Sequence, residues 1–103
     1  MPPNQNRSYR LLPAALADLI KIWDYTLETW SVNQAIAYED QILDACDAIV
    51  ASPEDGDDIS DLREGYFLWR VSKHFIIYRH ADNSTDIDIM RILHQRRDIK
   101  RHV

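Results

Sequence analysis

The chain has 103 residues, of which 46% are hydrophobic and 28% are charged, and its formal net charge at pH 7 is −5. This length and composition are typical of one small globular domain, so we expect a single domain over residues 1–103. The only cysteine, Cys46, excludes an internal disulfide and suits a reducing compartment. The sequence has no apolar run long enough to span a membrane and no signal peptide, so we expect a cytoplasmic protein without membrane contacts.

Charge is distributed unevenly along the sequence. Every charged residue from Asp24 to Asp61 is acidic, whereas residues 94–103, which we call the basic tail, contain four cations and one acid. The cations are Arg96, Arg97, Lys100 and Arg101. Because an acidic body repels bulk nucleic acid, any contact with nucleic acid should come through the basic tail.

The first predicted elements are a short strand near residues 8–12 and a helix that begins at Pro13. Residues 1–6 are expected to be disordered. A proline is well tolerated at the first position of a helix because its missing N–H has no partner there. Apolar residues then recur at the three- and four-residue spacing of one helical face, and we expect this stripe, including its two tryptophans, to pack in the core. The stripe consists of Leu16, Ile20, Trp23, Leu27 and Trp30.

A second helix is predicted from the Ser31–Gln34 capping box to about Ala51. Its apolar residues share one face, which should be buried, and Cys46 on that face should be an unreactive thiol. The face consists of Ala35, Tyr38, Ile42, Ala45, Cys46 and Ile49. Because the connection between the two helices is so short, they should form an antiparallel hairpin.

Beyond Pro53 the pattern changes to a polar loop over residues 53–65 and then to strands. Tyr66–Val71 and His74–His80 should form a β-hairpin, and Asp86–Leu93 should form a final strand after a turn at Ala81–Thr85. The order strand, helix, helix, strand, strand, strand predicts an α+β fold. In it, the two-helix hairpin packs on one face of a small, mostly antiparallel sheet of three or four strands.

The strands contain more apolar residues than one buried sheet face requires. Tyr66–Trp69 and Phe75–Tyr78 place aromatic or aliphatic side chains on both faces. Either a longer helix or the tail of this chain covers the second face, or a partner does. We favour a partner.

Several short strings occur in an order and spacing that match a known family over nearly the whole chain. They are Leu16–Leu19, Ile22–Thr26, Trp30, Pro53, Gly56, Leu62-Arg63, Gly65-Tyr66, Arg70-Val71, His74, Ile77–Arg79, Ile92–Arg96, Asp98 and Arg101-His102. Together they resemble the ParE branch of the RelE/ParE superfamily, the toxins of bacterial toxin–antitoxin modules.

This resemblance implies a toxin that inhibits DNA gyrase by binding, with no cofactor and no bond chemistry of its own. It also implies a cognate ribbon-helix-helix (ParD-like) antitoxin that neutralises the toxin, so that nucleic acid is contacted only through gyrase or the antitoxin. The candidate antitoxin-binding residues on the sheet are Tyr66, Leu68, Arg70, Tyr78 and Arg79. The cations of the basic tail are candidates for contact with gyrase or the antitoxin, or they form a solvated end.

Two alternatives remain open. One is an mRNA endonuclease of the RelE branch that acts on the ribosome, which would need a general base, a general acid and cations around the phosphate. Its candidate groups are Arg70, Lys73, Tyr78, Arg79, Arg91 and His94. The other is a non-toxic remnant that still binds antitoxins. We expect His94 to be structural and expect no metal site.

Overall fold

Five strands form one mixed sheet in the computed structural model, which describes residues 8–82, 84 and 86–103. The strands are Tyr9–Leu11 (β1), Asp57–Asp58 (β2), Phe67–Val71 (β3), His74–His80 (β4) and Ile87–His94 (β5), and the helices are Pro13–Thr29 (α1) and Val32–Ala51 (α2). The spatial order is β1-β5-β4-β3-β2, with β1 parallel to β5 and the other pairs antiparallel.

This architecture confirms the predicted α+β fold but corrects the number of strands. The additional strand, β2, lies within the predicted loop and pairs Asp57 with Leu68 and Asp58 with Phe67. Two aspartates are a weak strand signal, so the pairing depends on β3 rather than on local propensity. The predicted disorder of residues 1–6 lies outside the described residues, as do Asn83 and Thr85 of the predicted turn.

Both helices begin where the sequence indicates. Pro13 is the first residue of α1, and the Ser31 hydroxyl at the start of α2 accepts a 3.1 Å hydrogen bond from the Gln34 N–H. The predicted buried face of α2 is confirmed, since Ala35, Ile42, Ala45, Cys46 and Ile49 are buried. This face packs against the sheet in a core that also contains Ile76, Tyr78, Ile87, Ile89 and Ile92.

The predicted buried face of α1 is wrong. The helix buries Ala15 and Leu19, whereas Leu16, Ile20 and Leu27 of the predicted stripe are 47%, 52% and 42% exposed. Trp30 is 68% exposed and Trp23 is only partly buried, so the two tryptophans do not form the core. Consecutive residues lie about 100° apart around a helix, and the helix presents to the sheet the flank with the small Ala15.

A β-bulge in β5 changes which side chains of that strand face the main core. Tyr78 pairs with Ile89 and Ile77 pairs with Arg91, which leaves Met90 without an opposite residue. The extra residue shifts the alternation of side chains, so Ile89 and Ile92 reach the same core although they are three positions apart.

Beyond the end of β1, a carboxylate from α1 accepts hydrogen bonds from the otherwise unpaired edge of β5. Asp18 accepts hydrogen bonds from Nε and Nη2 of Arg91 at 2.7 and 2.9 Å and from the backbone N–H of Ile92 at 2.9 Å. Because the last residue pair between β1 and β5 joins Leu11 to Ile89, Asp18 supplies the acceptor that a longer β1 would have supplied.

The second face of the sheet is covered by segments of the same chain. Tyr66, Leu68, Ile77 and Leu93 form a buried cluster there. Ile59, Phe75, Met90, Ile99 and Val103 pack against it. The preference for a partner on this face is therefore wrong, because the β2–β3 connection and the basic tail supply the cover.

Candidate functional site

The basic tail leaves β5 through a tight turn at His94. The Arg97 N–H donates to the His94 carbonyl at 2.8 Å, and the Arg96 N–H donates to Nδ1 of the His94 ring at 3.1 Å. The Gln95 N–H donates to the Lys73 carbonyl at 2.8 Å, which ties the turn to the β3–β4 connection. The contacts of His94 agree with the structural role predicted for it.

The remainder of the basic tail is a short 3-10 turn with an apolar and a charged side. The turn spans Ile99–Arg101, and the Asp98 carboxylate accepts a 3.1 Å hydrogen bond from the Lys100 N–H. Ile99 and Val103 pack on the second sheet face, and Nη1 of Arg63 donates to the Val103 backbone oxygen at 3.1 Å. The tail is therefore fixed by its apolar side.

The cations of the basic tail point into solvent. Arg96, Arg97, Lys100 and Arg101 are all exposed. Arg101 lies 3.9 Å from the Asp98 carboxylate, but both side chains are more than half exposed, so this pair contributes little. The four predicted tail residues, which fall within six positions of the sequence, are therefore all exposed.

A groove of about 730 Å³ lies between α1, α2, the β3–β4 connection and the start of the basic tail. Tyr25, Trp30 and Tyr38 contribute aromatic walls. Among the described residues that line the groove, the charged side chains other than histidine are all cations: Lys21, Lys73, Arg96 and Arg97. The groove is therefore positive, with apolar walls.

Two histidines lie side by side in this groove. The ring centroids of His74 and His94 are 5.2 Å apart with the rings nearly perpendicular, and Nδ1 of His74 is 2.6 Å from the Tyr38 hydroxyl. Burial, together with the neighbouring His94 ring, lowers the pKa of His74 to about 4. His74 is consequently neutral at pH 7, and the positive charge of the groove comes from lysine and arginine.

The predicted antitoxin-binding residues on the sheet differ in how deeply they are buried. Tyr66 and Leu68 are buried in the second-face cluster, and Tyr78 is fully buried in the main core. Arg70 and Arg79 reach the surface, where Arg70 contacts Asp57 at 3.1 Å and Arg79 contacts Asp88 at 3.4 Å. Antitoxin contact by these five residues stays a prediction, and for the buried three it would require a rearrangement of the covering segments.

Several groups named as nuclease candidates are already held in structural contacts. The Tyr78 hydroxyl donates a 2.6 Å hydrogen bond to the Pro53 carbonyl. Arg91 forms a two-pronged pair with Asp18, and Arg79 shares Asp88 with Arg10. Of the six candidates, only Lys73 and His94 line the groove.

The sequence did not predict the groove or the participation of Lys21, Tyr38 and His74 in it. These residues come from α1, α2 and β4, and neither their spacing nor their type marks them as neighbours.

The remaining candidate groups have low chemical reactivity. Cys46 is fully buried, and burial raises the pKa of its thiol to about 12. Over residues 8–82, 84 and 86–103, no group of three or more His, Cys, Asp or Glu side chains is placed to hold a metal ion. Within the same ranges, neither helix has the length and apolarity needed to cross a membrane.

The sequence matches a known protein family over most of its length. Residues 9–99 match the model of the family described as ParE toxin of type II toxin-antitoxin system, parDE. Toxin ParE1 of Mycobacterium tuberculosis is 39% identical over 95 residues, which cover 92% of this chain and 96% of the relative. Toxin ParE1 of Caulobacter vibrioides is 32% identical over 97 residues, which cover 94% and 98%.

A solved structure also shares the fold. A chain from the chromosomal ParDE TA system of P. aeruginosa superposes with a TM-score of 0.72 at 18% identity, over 86% of this chain and 96% of that one. At this identity the likeness concerns the fold alone. The match to the family model and the two sequence relatives show that this chain belongs to the ParE toxin family of type II toxin–antitoxin systems.

Proposed function

We propose that this chain inhibits DNA gyrase by binding it in the cytoplasm, without a cofactor and without bond chemistry, and that a cognate antitoxin neutralises it. The observation that carries the proposal is the basic tail. Its four exposed cations form a concentrated positive surface on a protein of net charge −5.

The way the tail is fixed supports a role in binding. Ile99 and Val103 pack its apolar side against the sheet, so the backbone that carries the cations is ordered before a partner binds. Guanidinium groups bind carboxylates and phosphates with paired hydrogen bonds, so the surface suits an acidic patch of gyrase or its bound DNA.

The structural contacts of the nuclease candidates favour binding over RNA cleavage. Cleavage requires an acid, a base and cations around one phosphate. Two of the candidates, Arg79 and Arg91, already pair with Asp88 and Asp18. A third, the Tyr78 hydroxyl, already donates to the Pro53 carbonyl. Diverting Tyr78 to a phosphate would leave the Pro53 carbonyl without its donor, and diverting Arg79 or Arg91 would break an ion pair.

Membership in the ParE toxin family of type II toxin–antitoxin systems supports neutralisation by an antitoxin. The solved relative is described as a ParDE TA system, and we propose the same kind of partner, a ribbon-helix-helix ParD-like protein, for this chain. An antitoxin that covers the basic tail would block the surface that gyrase needs.

The test is a gyrase supercoiling assay with a variant in which Arg96, Arg97, Lys100 and Arg101 are all changed to Gln. We expect inhibition to be lost while the urea unfolding midpoint stays within error of the parent chain, because these side chains are exposed. Arg70→Gln is the matched control, since it removes an exposed cation outside the tail.

The outcomes separate the alternatives. Undiminished inhibition by the four-residue variant would refute the role of the tail. Absence of gyrase inhibition by the unmodified chain, with mRNA cleavage on induction, would replace the proposal with the endonuclease. No growth arrest at all, with the antitoxin still bound, would indicate a non-toxic remnant.

A further inference from the structure

The groove beside the start of the basic tail is lined by cations that lack carboxylate partners. The arginines on the strands all pair with aspartates. Among the described residues, no aspartate or glutamate pairs with the exposed cations of the groove, and none lines it. These cations are Lys21, Lys73, Arg96 and Arg97. Their positive charge is therefore available to a ligand.

The wall of the groove also carries aromatic rings that the fold leaves open. Tyr25 and Trp30, in and just after the last turns of α1, are 66% and 68% exposed. The ring of Tyr38 is already engaged, since its hydroxyl lies 2.6 Å from Nδ1 of His74 and the two ring centroids are 5.4 Å apart. Exposed tryptophan and tyrosine faces are stacking surfaces for the flat rings of nucleobases.

Uncharged hydrogen-bond donors add to the anion-binding character of the groove. Nδ1 of His94 accepts from the Arg96 N–H, so the ring proton of His94 is on Nε2, where it can donate to a ligand in the groove. Ser72 has a φ of 52°, in the left-handed region that favours glycine, yet it keeps a hydroxyl in the lining. Donors and cations together suit a ligand with several acceptor oxygens.

We propose that this groove binds a free nucleoside di- or triphosphate, with the base stacked on Trp30 and the phosphates held by Lys73, Arg96 and Arg97. Its volume of about 730 Å³ lies within the range of roughly 300–1,000 Å³ that is typical of small-molecule sites. A base alone would leave the cations without counter-charge, and a phosphate alone would leave the aromatic wall empty. A nucleotide uses both features of the site.

A free nucleotide suits the surroundings better than a nucleic-acid strand. Every charged residue from Asp24 to Asp61 is acidic, and the protein has a net charge of −5. A strand longer than the groove would run past this acidic body, whereas one nucleotide lies among the cations. The inference goes beyond the proposed function and does not depend on it, because no gyrase or antitoxin is needed for the nucleotide to bind.

The first experiment tests the class of ligand by isothermal titration calorimetry of the purified chain at physiological ionic strength. ADP is the probe, and we expect adenosine and orthophosphate, which each supply half of it, to bind at least roughly tenfold more weakly. A single-stranded oligothymidylate of about ten nucleotides is the probe for a strand. The inference would be overturned if ADP showed no saturable binding at millimolar concentration, if either half bound as tightly as ADP, or if the oligonucleotide bound more tightly.

The second experiment tests the location with two variants of exposed residues. Trp30→Leu removes the stacking surface, and we expect it to raise the Kd for ADP by about 5- to 100-fold. Lys73→Gln removes a groove cation that lies outside the basic tail, and it should raise the Kd roughly tenfold. Matched controls are Trp23→Leu and Arg70→Gln, which change a tryptophan and an exposed cation outside the groove lining and should bind ADP as the parent chain does.

Fluorescence and unfolding measurements complete the test. ADP should quench tryptophan fluorescence in the parent chain but not in Trp30→Leu, and the urea unfolding midpoints of both groove variants should match that of the parent. Unchanged ADP affinity in either groove variant would overturn the assigned site. An equal loss of affinity in Arg70→Gln would also overturn it, because binding would then follow total charge rather than the groove.

Discussion

Replacement of Gly56 by alanine should destabilise the fold because of one contact. Tyr78 is fully buried and its hydroxyl donates a 2.6 Å hydrogen bond to the Pro53 carbonyl. A Cβ atom at Gly56 would overlap this hydroxyl oxygen and lie 2.9 Å from Cζ of the ring. Since φ at Gly56 is −73°, the backbone itself permits alanine, and the conflict is with the tyrosine.

The magnitude follows from two costs. The ring must move, so the buried hydrogen bond is lost, at about 1–3 kcal/mol, and the displaced ring crowds its neighbours, at about 1–3 kcal/mol. We therefore expect Gly56→Ala to lower the free energy of unfolding by about 2–6 kcal/mol and Tyr78→Phe alone to lower it by about 1–3 kcal/mol. With Phe at position 78 the overlapping oxygen is gone, so the cost of the alanine should fall by about 1 kcal/mol or more.

The assay is urea unfolding of the four members of this double-mutant cycle, followed by circular dichroism. Gly65→Ala is the matched control, because φ at Gly65 is +83° and nothing lies within 4 Å of an added Cβ. Its cost of about 1–2 kcal/mol comes from the left-handed backbone and should be the same with Tyr or Phe at position 78. An unchanged midpoint for Gly56→Ala, or strictly additive costs with Tyr78→Phe, would refute the assigned contact.

Three further predictions concern Asp18, His74 and Cys46. Asp18→Asn weakens the acceptor shared by Arg91 and the Ile92 N–H, so the free energy of unfolding in urea should fall by about 1–3 kcal/mol. An unchanged unfolding midpoint would contradict this expectation. Because the pKa of His74 is lowered to about 4, the unfolded state binds the proton first on acidification. The contribution of neutral His74 to the free energy of unfolding should therefore be fully present above about pH 6.5 and decline toward pH 4. His74→Gln should flatten that decline. An NMR titration that places the His74 pKa near its ordinary value would refute the predicted pH dependence. Burial of Cys46 raises its thiol pKa to about 12, so dithionitrobenzoate should label it slowly in buffer and quickly in urea; fast labelling of the native chain would contradict its burial.

Local signals in the sequence were sufficient to place both helices and the β3–β4 hairpin. Pro13 and Ser31 each mark a helix start through backbone groups within the first turn, so no distant contact is needed to interpret them. The buried face of α2 was also predictable, since its members recur at helical spacing, whereas Val32 and Ile36 of the same helix are exposed.

The face of α1 was not predictable because that helix has two apolar flanks. Periodicity favoured the larger side chains around Ile20, whereas the sheet selects the flank of Ala15, where a small residue permits close approach. Which flank faces the sheet depends on tertiary packing.

The basic groove and the cover of the second sheet face depend on contacts between distant segments. Ile99 and Val103 stand singly among cations, so nothing in their local pattern marks them as packing residues. Likewise Tyr38 meets His74 across 36 positions of sequence, and only the folded sheet brings them together. The cations of the tail were predictable as a cluster because they are neighbours in the sequence.

The parallel pairing of β1 with β5 has a consequence for synthesis of the toxin. Arg10 and Asp88 on these strands are 78 positions apart, and β5 supplies Ile87, Ile89 and Ile92 to the main core. A nascent chain lacks this interior strand until residues 87–94 have left the ribosome, so the sheet cannot close before that point. Active toxin should therefore arise only after synthesis of β5, and a premature stop or frameshift before it should yield an unfolded, harmless fragment that is open to proteolysis.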